Sequence, residues 1–419
     1  MKKTGLKIAA CLAVSVVAVA ACGSSKSTSQ GQNPTANGSN VSYPPIPPGP
    51  IKLGLSLALS GPSAAHGAFG QKGFQVALEQ FNATHPNGID GHQIVFDVQN
   101  DQGDSTIAAG IAKQFIDDKV VAVIEPSEDL ASKDLQMQIW QKAGLPVVGY
   151  TNREGKYIDG KAWPYAFNIA AQPPAEIGQV AAKWLASHSQ YKKIAILTDD
   201  TPAQKEWTDA IINPLKTLAP GDSVVTTASI ATGSVDAATQ VAKLKASNPD
   251  IVLVAVGVGL GPIWNAFHSA NWAPPILALQ NALYDGYASL GNLGATTVAP
   301  AYDCIPSDDI SAIPSPVKTL MDAYLKSLGN VGVNMLVFAN SDSMPLEALN
   351  YAITKYHSTS PDAIKAALEG LNNQGFIGDY FHLSFSPTNH FGNSGSSGTQ
   401  MCKLSPLAGG SYSIPTYAP

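Results

Sequence analysis

The motifs in this chain that could do chemistry fall short of enzyme signatures. Gly155-x4-Gly160-Lys161 has the spacing of a phosphate-cradling loop, but Ala162 stands where a hydroxyl would bind magnesium. Trp163-Pro164 then opposes the helix that such a loop must open. Gly257-x-Gly259-x-Gly261 lies between a strand pattern and a helix pattern, yet it lacks the full dinucleotide-binding spacing. Packing and close backbone approach in a cleft are its expected roles. The eight histidines form no His-Glu-x-x-His or comparable cluster, so no metal site is expected. No Gly-x-Ser-x-Gly elbow occurs, and no cysteine is left over as a nucleophile. Asp199-Asp200 ends a strand pattern, where a loop cap or the lip of a cleft is expected. No catalytic residue and no cofactor is therefore expected.

Cys22 carries a different chemistry. Lys2, Lys3 and Lys7 make a basic start, and 8–21 is an apolar run too short to stay in a bilayer as a spanning helix. Its end, Val19-Ala20-Ala21-Cys22, resembles the lipobox of bacterial lipoproteins. The resemblance implies cleavage before Cys22, lipid on its sulfur and on the new amino terminus, and retention at the outer face of the cell membrane. The alternative is an ordinary signal peptide with an incidental cysteine. Residues 22–50 then form the lipidated cysteine and a flexible linker, rich in Gly, Ser, Asn and Pro and poor in apolar surface. Of four cysteines, Cys11 leaves with the signal peptide and Cys22 is lipidated. Cys304 and Cys402 remain, and an oxidising compartment favours a disulfide between them over two buried thiols.

Composition excludes further classes. The formal net charge is −6, and losing the three leader lysines makes it more acidic, which argues against a nucleic-acid partner. No second long apolar run exists to cross a membrane. The body beyond residue 50 exceeds one comfortable core, so two domains are expected.

That body alternates β-rich runs with segments of helical period. Strands are expected at 51–59, 93–98, 120–124 and 146–148, with helices at 70–82, 107–116 and 130–142 between them. The rhythm restarts with helices at 175–186, 207–218, 235–245 and 262–269 and strands at 193–197, 224–230, 251–256 and 276–279. Helices at 317–328, 345–356 and 362–371 follow, then strands and loops over 376–419. This order predicts an α/β fold: two Rossmann-like, doubly wound parallel-sheet lobes. In such sheets ligands sit beyond the carboxyl ends of strands, against helix N-termini. Two facing lobes make a cleft, and an exported, tethered chain without catalytic signature is expected to capture a solute there.

Several residues in order resemble the type I periplasmic binding proteins of ABC transporters, in the branch serving leucine/isoleucine/valine and amide uptake. They are Ile51-Lys52-Leu53-Gly54 running into Ser60-Gly61-Pro62, Gly70…Gly73, Ala77, Asn82-Ala83, Gly88-Ile89-x-Gly91 and a strand reaching 97–101. Gly178…Ala181-Ala182 before Lys193-Ile194-Ala195, Pro249-Asp250, Gly375-Phe376-x-Gly378, Phe385 and His390 continue the match over 51–391. The resemblance implies a three-segment hinge near 169–172, 297–301 and 372–376. Lobe 1 is then 51–170 plus 300–374, and lobe 2 is 171–299 plus 375–419.

It also implies ligand contacts at Ser60, Ser127, Asp129, Tyr150, Thr151, Arg153, Trp207, Gly257 and Gln280. Asp129 falls at the family's serine spacing, Arg153 at its threonine, and Gln280 at its acidic ammonium partner. Arg153 is expected to grip a carboxylate in bidentate fashion, or else to form a rim salt bridge with Glu154 or Asp129. Asp129 either receives a ligand ammonium or caps the helix from Leu130. Trp207 is either a ligand wall or helix-face core. Tyr150 would face an apolar body, with Thr151 and Gln280 fixing a polar group.

The expected function is an extracytoplasmic, lipid-anchored, monomeric solute-binding protein that closes on a small polar or carboxylate-bearing molecule. It would present the closed form to an ABC permease. Sensing for a membrane receptor is the alternative, and a tethered hydrolase is a more distant one.

Overall fold

In β1 (Ile51–Leu57), Ile51, Leu53, Leu55 and Leu57 are all buried on one face while Gly54 meets Phe115 on the other. A strand flanked on both faces by apolar side chains must lie inside a sheet covered by helices on each side. The computed structural model of the chain describes residues 42–61, 64–127, 129–149, 155–157, 159–169, 174–231, 234–257, 259–279, 282, 289–301, 313–329, 339–392, 400–406 and 413–417.

After β1 come α1 (Ala64–Thr84), β2 (Ile94–Asn100), α2 (Ser105–Asp117), β3 (Ala122–Glu125), α3 (Leu130–Ala143), β4 (Val147–Gly149) and β5 (Ala166–Asn168). The strands form a parallel sheet in the order β2-β1-β3-β4-β5. Local chemistry sets the helix starts. Asp104 caps α2 by accepting from Thr106 N and Ile107 N at 2.8 and 3.0 Å, and left-handed Gly144 closes α3.

The second half repeats the plan with α4 (Pro174–Ser187), β6 (Lys193–Asp199), α5 (Pro202–Leu218), β7 (Ser223–Ile230), α6 (Ala238–Ala246), β8 (Ile251–Ala255), α7 (Leu260–Ser269), β9 (Ile276–Ala278) and β10 (Thr297–Ala301). Alternation again divides the two faces. Ala195 and Leu197 join the core with Val241, Trp264 and Phe267, while Ile194 and Ile196 join Ile177, Trp207 and Ile211. Helices α4 and α5 can approach closely because Gly178 has no Cβ, which would otherwise meet Ala210 O at 2.4 Å.

The chain then returns to the first sheet. Helices α8 (Ser315–Leu328), α9 (Met344–Tyr356) and α10 (Pro361–Leu368) share one core with Ile51, Leu55, Phe74 and Phe81. So does the hairpin of β11 (Gln374–Phe376) and β12 (Phe381–Leu383). The crossing expected at 372–376 is not where the chain changes sheets. Asn168 N donates to His390 O at 2.9 Å, Gly392 N donates to Asn168 O at 2.8 Å, and Phe385 meets Phe167 edge-on. The aromatic residues of 381–391 bury themselves beside β5, so the change falls between 392 and 400. Strands β13 (Gln400–Pro406) and β14 (Ser413–Tyr417) then add antiparallel to β10, giving the order β14-β13-β10-β9-β8-β6-β7. Thr297–Ala301 likewise belongs to this second sheet, two residues beyond the expected start of the return to lobe 1. No described helix is long and apolar enough to cross a membrane.

Two of the buried titratable groups packed with the first sheet, His390 and Asp342, have pKa values displaced by burial. His390 stacks on Phe167 with ring centroids 4.1 Å apart, and burial pushes its pKa down against the opposing pull of Glu369. Asp342 is 6% exposed beside the start of α9, and burial pushes its carboxyl up to about 7, opposed by a hydrogen bond from Ser341. Its folded pKa lies above its unfolded value. Its contribution to stability is therefore complete below about pH 4 and is lost as pH rises toward 7. Asp342→Asn, neutral throughout, should match the natural protein in urea midpoint near pH 3.5 and exceed it at pH 8. Parallel pH profiles of the two proteins would refute that assignment.

Candidate functional site

Strand order locates the site before any side chain is considered. The chain leaves β1 toward β2 and then crosses to β3 on the other side, so the connections diverge between β1 and β3. The second sheet repeats the reversal between β6 and β8, which flank each other while β7 lies outside. At such a switch point the two following helices separate and leave a crevice beyond the carboxyl ends of the strands.

In the first half this crevice is underlain by a fully buried polar network. The Gln136 carboxamide, on α3, accepts from Ser127 N at 2.9 Å. It donates to Ser56 Oγ at 2.8 Å and to Ala108 O at 3.2 Å. Ser56 Oγ donates in turn to Asp101 Oδ2 at 2.9 Å. Ser56, Asp101, Ser127 and Gln136 are each 0% exposed. One polar atom stays outside the network: the Ser127 hydroxyl, buried without a hydrogen-bond partner. Buried charges stand at the same end of β3, with Glu125 as its last residue and Lys133 in the opening turns of α3. Ser60, just past β1, is half-buried and accepts from Asn100 Nδ2 at 2.9 Å.

The second half solves the same problem with a carboxylate. Asp199, the last residue of β6, is 4% exposed. It accepts from Gly257 N at 2.8 Å through Oδ2, and from Thr201 N at 3.0 Å and Thr201 Oγ1 at 2.5 Å through Oδ1. Ser127 and Gly257 thus occupy matching places, each two residues past its strand and each with its N–H held by a buried side chain. Thr201 caps α5, with Pro202 behind it.

The predicted site residues separate accordingly. Ser60, Ser127 and Gly257 lie at the strand ends that flank the two switch points. Asp129 is exposed and accepts from Ser132 N at 2.8 Å, so of its two open roles the structure shows the helix cap. Trp207 is 4% exposed and packs with Ile177, Leu185, Ile211 and Leu215. It is core rather than ligand wall, because the α4–α5 contact encloses its ring. Tyr150, Thr151, Arg153, Gln280, Cys22 and Cys304 lie outside the described residues, while Cys402 is fully buried in β13. Gly155–Tyr157 form a short 3-10 turn. Among the described residues no group of three or more His, Cys, Asp or Glu side chains could hold a metal ion.

Sequence reasoning missed Gln136, Ser56 and Asp101, and it did not single out Asp199 as the anchor of Gly257. A signal was present: Ser56 is the one polar residue between Leu53 and Leu59, and such an interruption in a buried strand demands a partner.

Residues 50–400 match the model of the periplasmic binding protein family. The chain belongs to that family, whose members bind solutes outside the cytoplasm. It is 27% identical over 271 residues to Leu/Ile/Val-binding protein homolog 7 of Brucella melitensis, covering 62% of this chain and 63% of that protein. To homolog 7 of Brucella abortus it is 25% identical over 348 residues, or 77% of this chain and 81% of that protein. Homolog 1 of Brucella abortus aligns at 24% identity over 48% of this chain and 53% of its own length, so some relatives are spanned only about halfway. Among solved structures, a periplasmic binding protein type 1 from Bordetella pertussis superposes with a TM-score of 0.70 at 21% identity, over 88% of this chain and all of that one. A branched-chain amino acid transporter substrate-binding protein from Streptococcus pneumoniae, in complex with isoleucine, gives 0.68 at 19% identity over the same 88% and all of its own chain. A solute-binding protein of an ABC transporter from Rhodopseudomonas palustris, in complex with benzoate, gives 0.69 at 16% identity over 88% of this chain and 95% of that one. These likenesses establish the two-lobed type I fold.

Removing the network's hub should be costly, because it strands buried groups that water cannot reach. Gln136→Leu leaves Ser127 N and Ala108 O without that partner, and a loss of about 2–4 kcal/mol in urea unfolding is expected. An unchanged midpoint would show that the network adds nothing to stability.

Proposed function

We propose that this chain is the solute-capturing lipoprotein of an ABC importer, anchored through Cys22 outside the cell membrane. In this reading it closes its two lobes around a small molecule bearing a carboxylate. The observation that carries the reading is the Ser127 hydroxyl, fully buried and unpartnered at the β1/β3 switch point. A buried hydroxyl without a partner is destabilising unless an incoming group completes it. It can donate to a carboxylate oxygen, and isoleucine and benzoate, the ligands of two solved neighbours, share that group. Arg153, three residues past Tyr150, would add a bidentate contact.

The lobes in this reading are 43–169 with 313–392, and 174–301 with 400–419, each holding one sheet. Closure shifts the population only if the ligand gains contacts on both lobes, which the paired strand ends Ser127 and Gly257 allow. A Cys304–Cys402 bond fits the oxidising compartment. Its support is the complete burial and disulfide-bonded state of Cys402, with Cys304 the other cysteine of the folded body.

Thermal-shift screening against branched-chain amino acids, aromatic acids, amides and short peptides tests the reading. A true ligand at 100 times its dissociation constant should add about 2.7 kcal/mol of stability. Ser127→Ala should weaken binding of that ligand roughly tenfold while leaving the unliganded protein no less stable, since the deleted hydroxyl has no partner to lose. Arg153→Ala should lose its response to acids and not to amides. Small-angle scattering should show compaction with the ligand. No response to any acid, or equal affinity in all variants, would sink the carboxylate assignment.

A further inference from the structure

The second half holds an unsatisfied polar group of its own at the matching switch point. Gln204 stands in the first turn of α5 and is 6% exposed, yet its Oε1 has no hydrogen-bond partner. Its carboxamide lies over Gly257, where an added Cβ would come within 2.7 Å of Gln204 Nε2 and 3.4 Å of Asp199 Oδ2. The glycine therefore keeps open the space that this carboxamide enters. Asp199 cannot be the partner that Gln204 Oε1 lacks, because two acceptors do not pair, and its oxygens already serve Gly257 and Thr201. One helical turn further on, Trp207 Nε1 is also buried and unpaired, so no neighbouring side chain has turned to serve either group.

We infer that Gln204 is a specificity-determining ligand contact, whose carboxamide oxygen accepts an N–H or O–H from the part of the solute lying against the second lobe. The inference rests on the solute-capture reading and narrows its ligand class. Ser127 can donate on one lobe, while Gln204 lacks a donor on the other. The matching solute is a carboxylate carrying a separate hydroxyl or amino group, and the analogue stripped of that donor leaves Gln204 unpaired in the closed state. A site built around such a contact discriminates strongly against the missing group.

Calorimetric titration of the full chain with two matched pairs tests this: leucine against 4-methylpentanoate, and 4-hydroxybenzoate against benzoate. The natural protein should bind the donor-bearing member of at least one pair about tenfold more tightly or better. In Gln204→Met, close in volume and without the amide, that preference should shrink to within about threefold through weaker binding of the donor-bearing member. Gln204→Glu keeps an acceptor and should retain the preference for a hydroxyl donor. The unliganded melting temperature of Gln204→Met should not fall, since Oε1 has no bond to lose. A preference unchanged in Gln204→Met, or binding of the donor-free members alone by the natural protein, overturns the inference and leaves solute capture standing. Failure of all four compounds to bind the natural protein refutes the carboxylate reading and this inference together.

Discussion

The architecture depends on how backbone N–H groups just beyond two strands are satisfied. At a switch point the neighbouring connections part, and the N–H two places past β3 and past β8 is held there by a buried side chain. An unpaired buried N–H there would be destabilising by about 1–3 kcal/mol. Gln136 meets the need at Ser127 and Asp199 meets it at Gly257. Both acceptors are buried and themselves anchored, Gln136 through Ser56 and Asp199 through Thr201. The rims of both crevices are thereby fixed in place, and preorganised rims let a binding site spend little of its affinity on ordering itself.

The two halves share a plan and differ in chemistry. Beneath Ser127 lies a chain of neutral amide and hydroxyl groups ending on the Asp101 carboxylate; beneath Gly257 lies a carboxylate one bond away. What each rim leaves unsatisfied differs as well. The first keeps a hydroxyl able to donate, and the second keeps an amide oxygen that can only accept. In the proposed solute-capture reading, rims unlike in this way would select for orientation, because a molecule with unlike ends would fit one way round.

Much of the scaffold was legible in the chain. Alternation in Ile51–Leu57 and Lys193–Asp199, and helical period in Ser105–Asp117 and Leu130–Ala143, follow from burying one stripe or two faces. Asp129 could be read as a cap because capping is a local affair of three residues. The tail was misjudged because Phe381, Phe385 and Phe391 are apolar residues whose burial site is decided by where β5 lies, some two hundred residues earlier. Trp207 was ambiguous for a similar reason: its periodicity says only that one helix face is covered, not what covers it.

Composition, period and capping residues by themselves determined that this is a doubly wound α/β chain built twice, since each depends on neighbours within a few turns. They also placed Ser60, Ser127 and Gly257 at strand ends. Only the tertiary structure decided which buried groups pair and which stay open. Gln136 reaches Ser56 across 80 residues, and Asp199 reaches Gly257 across 58. Nothing local to Ser127 or Gln204 shows that the Ser127 hydroxyl and Gln204 Oε1 end without a partner. Hydrogen-bond satisfaction is a property of the assembled surroundings, and that is where the chemistry of this crevice resides.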